Sequence, residues 1–371
     1  MSFAVIARDG GCHARRGVLT TPHGTAQTPA FMPVGTAGAV KGVLPGQLRE
    51  LGAEIILANT YHFMIRPGVE VVERLGGLHR FMAWDGPILT DSGGYQVFSL
   101  SKLNRIDEAG VSFASHVDGK TLHLGPEVAT DLQNRLGADI IMCFDQCTRF
   151  PCGEEELARA VRRTIRWAGL SRAAHRNPLQ MLFGIVQGGI DLDQRSRCVD
   201  ALLDLDFPGY AIGGLSVGEG HDAMVATVEH TARLLPAERP RYLMGVGTPA
   251  DLIAAVRAGV DMFDCVLPTR NGRNAFAFRA EGPLRLRNSA HADSETPLDP
   301  DCDCYCCRTY TRAALRHFFQ ANEMLGPILV TLHNLTFFQR LMARMRSLIE
   351  ADAFAAWARR ELPRYRALYH G

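Results

Sequence analysis

Three aspartates, a glutamine and several glycines stand where runs of apolar residues end. Asp91 closes Ile88–Asp91, Asp145 closes Ile140–Asp145, and Asp264 closes Val260–Asp264. Gln187 closes Leu182–Gln187, while Gly213-Gly214 and Gly245 end the runs that begin at Tyr210 and Tyr242. Two carboxylates facing each other across a pocket can run a double displacement. One attacks an anomeric carbon, and the other moves protons on the departing group. A third carboxylate beside an amide can match the donors and acceptors of a flat heterocycle, and glycines let backbone groups approach it. The pattern favours glycosyl transfer on a nucleobase. For any single aspartate, helix capping is the competing explanation.

A second reactive set is Cys302, Cys304 and Cys307, spaced CxCxxC, followed at a distance by His333. Three thiolates and one imidazole make a closed tetrahedral site with no position for water, so the expected cofactor is one structural Zn2+. Cys306 is an extra thiol that cannot easily share an ion with its neighbour Cys307. His317 competes as fourth ligand, with a place on a helix face the favoured alternative. Ten cysteines, four of them in one short segment, fit a reducing compartment with a local metal site better than a disulfide framework.

Eight strand-like runs must carry the chemistry: Ala30–Val34, Ile55–Asn59, Ile88–Asp91, Ile140–Asp145, Leu182–Gln187, Tyr210–Gly213, Tyr242–Gly245 and Val260–Asp264. They are continuously apolar, as strands buried on both faces are. Helical segments lie between many of them, at Pro126–Leu136, Glu154–Ala174, His221–Leu235 and Pro249–Ala258. This alternation predicts an α/β fold, a (β/α)8 barrel whose active site lies at the C-terminal ends of the strands. An open doubly wound sheet is the alternative. Val111–Leu124 and Asn274–Asn288 read as hairpins, and the residues before Ala30 as strands that plug or flank the barrel. Residues 1–290 are expected to form the catalytic barrel, 291–350 a zinc-binding subdomain and 351–371 a C-terminal helix.

The 371 residues carry 40 Lys+Arg against 39 Asp+Glu. That balance excludes nucleic-acid binding through overall charge but allows a local basic patch. Only Lys41, Lys102 and Lys120 are lysines, and arginines are good phosphate ligands where they cluster. The N-terminus is not a secretory signal, and no apolar run reaches the ~20 residues of a membrane span. A cytoplasmic location is expected.

Seven segments, taken together in this order, are TDSGGYQVFSL (Thr90–Leu100), CFDQC (Cys143–Cys147), GIVQGG (Gly184–Gly189), GGLSVGE (Gly213–Glu219), YLMGVGTP (Tyr242–Pro249), DMFDCVLPTRNGRNA (Asp261–Ala275) and the CxCxxC…His set. They resemble bacterial tRNA-guanine transglycosylases over essentially the whole chain. The resemblance implies a barrel with an inserted zinc subdomain that exchanges guanine at wobble position 34 of GUN-anticodon tRNAs. The incoming base is 7-aminomethyl-7-deazaguanine, preQ1, in a step toward queuosine that needs no ATP. A homodimer is implied as well.

The same resemblance assigns roles through matching motifs. Asp264 matches the nucleophile and Asp91 the general acid/base. Ser92, Gly93, Gly94 and Tyr95 match the pocket wall, Tyr95 stacking on the base and Met244 packing on its other face. Asp145, Gln187, Gly214 and Leu215 match groups around the guanine edge. Gly245, Val246, Gly247, Thr248, Pro249, Ala250 and Asp251, with Thr269, Arg270, Asn271, Gly272 and Arg273, match stretches near the wobble nucleotide. The arginines between Arg340 and Arg366 offer either a further tRNA surface or a solvated helix face. Gln146 stands where glutamate is common, and Thr148-Arg149-Phe150-Pro151 replaces the commoner Thr-Pro-Tyr-Pro. Two other function classes compete. A carbohydrate-active barrel is disfavoured because none of Trp84, Trp167 and Trp357 lies in a strand-end motif, and a non-catalytic RNA-binding subunit because both Asp91 and Asp264 are present.

Overall fold

The computed structural model describes all residues except 101–103, 116, 118 and 371. The chain opens with an antiparallel sheet of β1 (Ser2–Arg8), β2 (Arg15–Thr21) and β3 (Gly24–Thr28). Four strands of the central sheet follow: β4 (Ala30–Met32), β5 (Val34–Gly35), β6 (Ile56–Asn59) and β7 (Ile88–Asp91). An antiparallel excursion comes next, with β8 (Asn104–Ile106), β9 (Val111–Ala114) and β10 (Thr121–Leu124). It contains the expected hairpin, although Asp118 of its Asp-Gly turn lies outside the described residues. The central sheet resumes with β11 (Ile140–Met142), β12 (Met181–Val186), β13 (Gly209–Ile212), β14 (Arg241–Leu243) and β15 (Met262–Asp264).

All neighbours in this sheet are parallel, in the order β4-β15-β14-β13-β12-β11-β7-β6-β5. It counts nine strands where the sequence suggested eight, because Pro33 divides the first. β4 pairs with β15 (Ala30↔Met262), and β5 pairs with β6 (Val34↔Leu57). Pro33 has no N–H to offer a ladder, but its carbonyl accepts from Leu57 N at 3.0 Å. One broken strand thus binds both neighbours and closes the barrel, which settles the architecture against an open sheet.

The pleat decides which side chains reach the interior. Leu89, Phe183, Ile185, Ala211, Tyr242 and Met262 form the inner core, while Ile88, Leu182, Ile212, Leu243 and Phe263 pack outward against helices. Two residues further along the inward rows stand Asp91, Gln187, Met244 and Asp264. Leu19 and Ala26 of the N-terminal sheet join the inner core, so that sheet plugs the opposite end. A buried ion pair fastens it: Arg15 Nε and Nη2 donate to Asp261 Oδ1 and Oδ2 at 2.9 and 2.5 Å.

Beyond β15, the hairpin of β16 (Phe276–Ala277) and β17 (Leu284–Arg285) shares a separate core with Leu298, Cys306, Leu315 and Leu329. The helix Leu325–Glu350 contributes to this core and, through Leu335, Phe338 and Met342, to the barrel's outer core. The last helix runs from Phe354 to Tyr369, with Pro363 inside it. Phe354, Trp357 and Tyr365 anchor it on both sides of the proline, which offsets the lost backbone bond. Among the described residues, no helix is long and apolar enough to cross a membrane.

Candidate active site

At the C-terminal mouth, a cavity of about 350 Å³ is lined by Asp91, Asp145, Gln187, Gly213, Gly214, Gly245 and Asp264 together. Ser92, Gly93, Tyr95, Leu215 and Met244 complete the lining, with Asn59, Gln96, Cys147 and Tyr242 among further members. Gly94 stands just outside, where it opens the helix Gly94–Leu100 and donates to Ser92 Oγ at 3.3 Å. A second cavity, of about 450 Å³, adjoins through Gly214 and Val217. It holds no strand-end carboxylate.

Asp91 is buried and held by three donors. Asn59 Nδ2 and Gln96 Nε2 donate to Oδ2 at 2.6 and 2.7 Å, and Thr60 N donates to Oδ1 at 2.9 Å. Asn59 reaches it because β6 and β7 pair in the register Asn59↔Asp91. Burial pushes the Asp91 carboxyl up to about 6; the three donors pull it down, and the negative charge of Asp264 adds to the rise. Asp264 Oδ1 accepts from Tyr242 Oη at 2.6 Å and from Gly245 N at 2.7 Å. Burial raises its pKa, and those two donors oppose the rise. Burial thus raises both carboxyls, and they differ in how they are held: Asp91 by three donors over both oxygens, Asp264 by two bonds to a single oxygen.

Asp145 forms a separate pair with Gln187, whose Nε2 donates to Oδ2 at 2.7 Å. Burial pushes Asp145 up to about 6 as well, against the bonds from Gln187 and Ser92. Gly214 has φ +68°, and a Cβ there would stand 2.1 Å from Gln187 Oε1, so this position needs glycine to keep the amide in place. Cys147 and Cys265, also on the cavity wall, are both pushed up to about 12 by burial. They stay neutral thiols near neutral pH.

The family model described as Queuine tRNA-ribosyltransferase matches residues 9–367. The chain belongs to the queuine tRNA-ribosyltransferase family. It is 55% identical to the queuine tRNA-ribosyltransferase of Syntrophobacter fumaroxidans, over 97% of this chain and 96% of that protein. Relatives of the same name from Thiobacillus denitrificans and Azotobacter vinelandii are each 52% identical, covering 97% and 98% of this chain and 98% and 99% of their own lengths.

In this family member, the two stretches expected near the wobble nucleotide, Gly245–Asp251 and Thr269–Arg273, are mostly interior. Val246, Gly247, Pro249, Ala250, Asp251, Thr269 and Gly272 are buried, Thr248, Asn271 and Arg273 half-buried, and Gly245 and Arg270 exposed. Thr248 caps the helix Pro249–Arg257, and Arg273 Nη1 donates to Thr269 O at 2.9 Å. The C-terminal arginines are largely engaged within the protein. Arg340 pairs with Asp303, Arg346 donates to Pro29 O, Arg364 pairs with Glu361 and Arg366 with Asp222. Gln146 accepts from Arg163 Nη1 at 2.7 Å, away from the cavity, whereas Thr148–Pro151 line the second cavity.

The ligand atoms of Cys302, Cys304, Cys307 and His333 all lie within 4.8 Å of one another. His333 Nδ1 is 3.3 Å from Cys307 Sγ, and its Nε2 donates to Phe278 O at 2.8 Å. That bond fixes the tautomer that turns a lone pair toward the thiols, the usual support for a metal-bound imidazole. The donor set therefore fits a metal ion. His317 is exposed on the helix Arg312–Gln320, outside this set, and Cys306 is buried in the neighbouring core.

Sequence reasoning missed the residues that hold the reactive ones. Asn59 ends an apolar run just as the aspartates do, which was a usable signal. Gln96 and Tyr242 lie within quoted segments without any mark of their own. Arg195 was also missed. It is fully buried, and it donates from Nη1 to Val186 O at 2.9 Å and from Nη2 to Gly189 O at 2.7 Å, fixing the turn that carries Gln187.

Proposed function

We propose that this enzyme exchanges guanine 34 of GUN-anticodon tRNAs for preQ1 through a covalent tRNA–Asp264 intermediate. The observation that carries the reading is the pairing, in one cavity, of an oriented carboxylate with a second carboxylate whose pKa is about 6. A base inside a stacked anticodon loop must leave the stack before its glycosidic bond is accessible. Tyr95 is exposed at the rim and Met244 lies on the cavity wall, so the two can take the flipped base between a ring and a thioether. Asp145, Gln187 and the backbone at Gly214 and Leu215 hold its polar edge.

Tyr242 and Gly245 occupy Oδ1 of Asp264 and leave Oδ2 to attack C1′ of the ribose. Asp91, protonated, gives its proton to the departing guanine and becomes a carboxylate. It then takes a proton from incoming preQ1 as that base displaces Asp264. Two inversions retain the configuration. Arg270 and Arg273 neutralise phosphates beside the flipped nucleotide. Cys302, Cys304, Cys307 and His333 hold one zinc ion, which supplies structure and takes no part in the exchange. Tyr305 and Met324, exposed on the metal-bearing side, support pairing of two copies. On this reading the protein works in the cytoplasm as a tRNA-modifying enzyme. All three tryptophans are buried, so none is free to serve as a sugar platform.

The test is exchange of radiolabelled guanine into unmodified tRNA with a GUC anticodon, chased with unlabelled preQ1. Asp264→Asn should abolish incorporation and the denaturation-resistant adduct, because an amide is a poor nucleophile. Undiminished incorporation by that variant would place the attack elsewhere. Incorporation that preQ1 fails to chase would point to a different incoming base.

A further inference from the structure

Two clusters of histidine and aspartate stand apart from the cysteine set. In the first, His23 and His79 bond opposite oxygens of Asp139, their rings stacked 3.5 Å apart at 16°. Lone pairs of nearly parallel rings run side by side, and Asp139 Oδ2 also accepts from Ile88 N at 2.9 Å. That arrangement braces the plugged end of the barrel and suits no common ion.

The second cluster converges. His221 Nδ1 is 2.6 Å and His370 Nε2 3.1 Å from the same oxygen, Asp251 Oδ1. His370 Nε2 is also 2.8 Å from Thr248 Oγ1. The two rings are 4.7 Å apart and tilted by 44°, with one nitrogen of each close to Asp251 Oδ1. We propose that His221, Asp251 and His370 form a second metal site, which takes a divalent ion of the zinc, cobalt or nickel class.

Two imidazoles and a carboxylate are the donor set that such borderline ions prefer. Bonds of about 2.0–2.1 Å at tetrahedral angles set donor atoms roughly 3.4 Å apart. The two nitrogen–carboxylate distances, 2.6 and 3.1 Å, therefore need to open by less than about 1 Å. Thr248 Oγ1 or solvent completes the fourth position. The positive end of the helix Pro249–Arg257 opposes a cation here, and the charge of Asp251 in its first turn offsets that. Asp222 next to His221 is already neutralised by Arg366, at 2.7 Å. Asp251 and His221 are shielded, while His370 is a quarter exposed and gives the ion a way in.

The site joins three elements. His221 opens the helix after β13, Asp251 lies in the first turn of the helix after β14, and His370 follows the C-terminal helix. A bound ion therefore fastens the end of the chain to the loop whose Gly245 N–H holds Asp264.

Cobalt titration of the tag-free, zinc-loaded protein tests this. With the cysteine set occupied by zinc, one further equivalent of Co2+ should bind. It should add weak d–d absorption without a thiolate charge-transfer band, and it should raise the melting temperature. His221→Ala and His370→Ala should each lose that equivalent and the thermal shift while remaining folded. No saturable equivalent in the parent protein would overturn the proposal. So would retention of it in both variants, or absorption that appears only with a thiolate charge-transfer band.

Discussion

Asp145 illustrates a conflict between a residue's task and its stability. Its pKa is near 6 in the folded protein because burial penalises the charge, whereas an exposed aspartate titrates near 3.9. A group raised in this way binds its proton more tightly when folded. The protein is therefore destabilised above pH 6 and recovers as pH falls from 6 toward 4. Asp145→Asn should raise stability at pH 7.5 by about 2–3 kcal/mol, with the gain shrinking toward pH 4. Denaturant titrations at several pH values check this, and a gain that does not vary with pH would deny the charge its role. Asp91 has the same raised pKa with more help from its neighbours. Gln96→Leu removes one donor to the carboxylate, so the Asp91 pKa should rise further. The high-pH limb of adduct formation, where the general acid is lost, should then move to higher pH. A limb that stays in place would exclude Asp91 as the titrating acid.

The elements show what a sequence reveals and what it hides. Runs such as Ile140–Met142 and Met181–Val186 were legible because barrel strands are covered on both faces and stay apolar throughout. The strand-end aspartates were legible because a charge directly after such a run is unusual. Asn59 was not, since its role depends on the register that sets it beside Asp91, and register is not a local property. Tyr242 looks like any core aromatic until β15 places Asp264 within its reach. The division at Pro33 was hidden because both halves of the run are apolar. The metal set was legible by spacing alone. Its mechanical consequence was not, because it depends on the helix Leu325–Glu350 serving two cores at once. Cys304→Ala should abolish zinc binding and open the segment around Leu298–Leu315 to limited proteolysis, with adduct formation retained in the soluble fraction. Metal analysis that finds zinc still bound would refute the ligand assignment.

At the scale of the whole molecule, charge is nearly balanced, with a net of +1. Affinity for tRNA must then come from a few placed cations and the pocket rather than from a broad field. Arg270, exposed one helical turn beyond the cavity-lining Val266, is the one to test. Arg270→Ala should reduce the slope of log affinity against log salt by about 0.7, and filter binding across a salt series measures it. An unchanged slope would remove Arg270 from the phosphate contacts.

The broken first strand also bears on how the molecule is made. β4 is among the first parts of the barrel to leave the ribosome, and its partner β15 is the last barrel strand to follow. Until then, one flank of the growing sheet stays open with its backbone groups unpaired. The ring, and with it a finished Asp264 site, cannot form before β15 is made, so products truncated ahead of it are inactive by construction. That interval is also when the nascent protein is most exposed to aggregation.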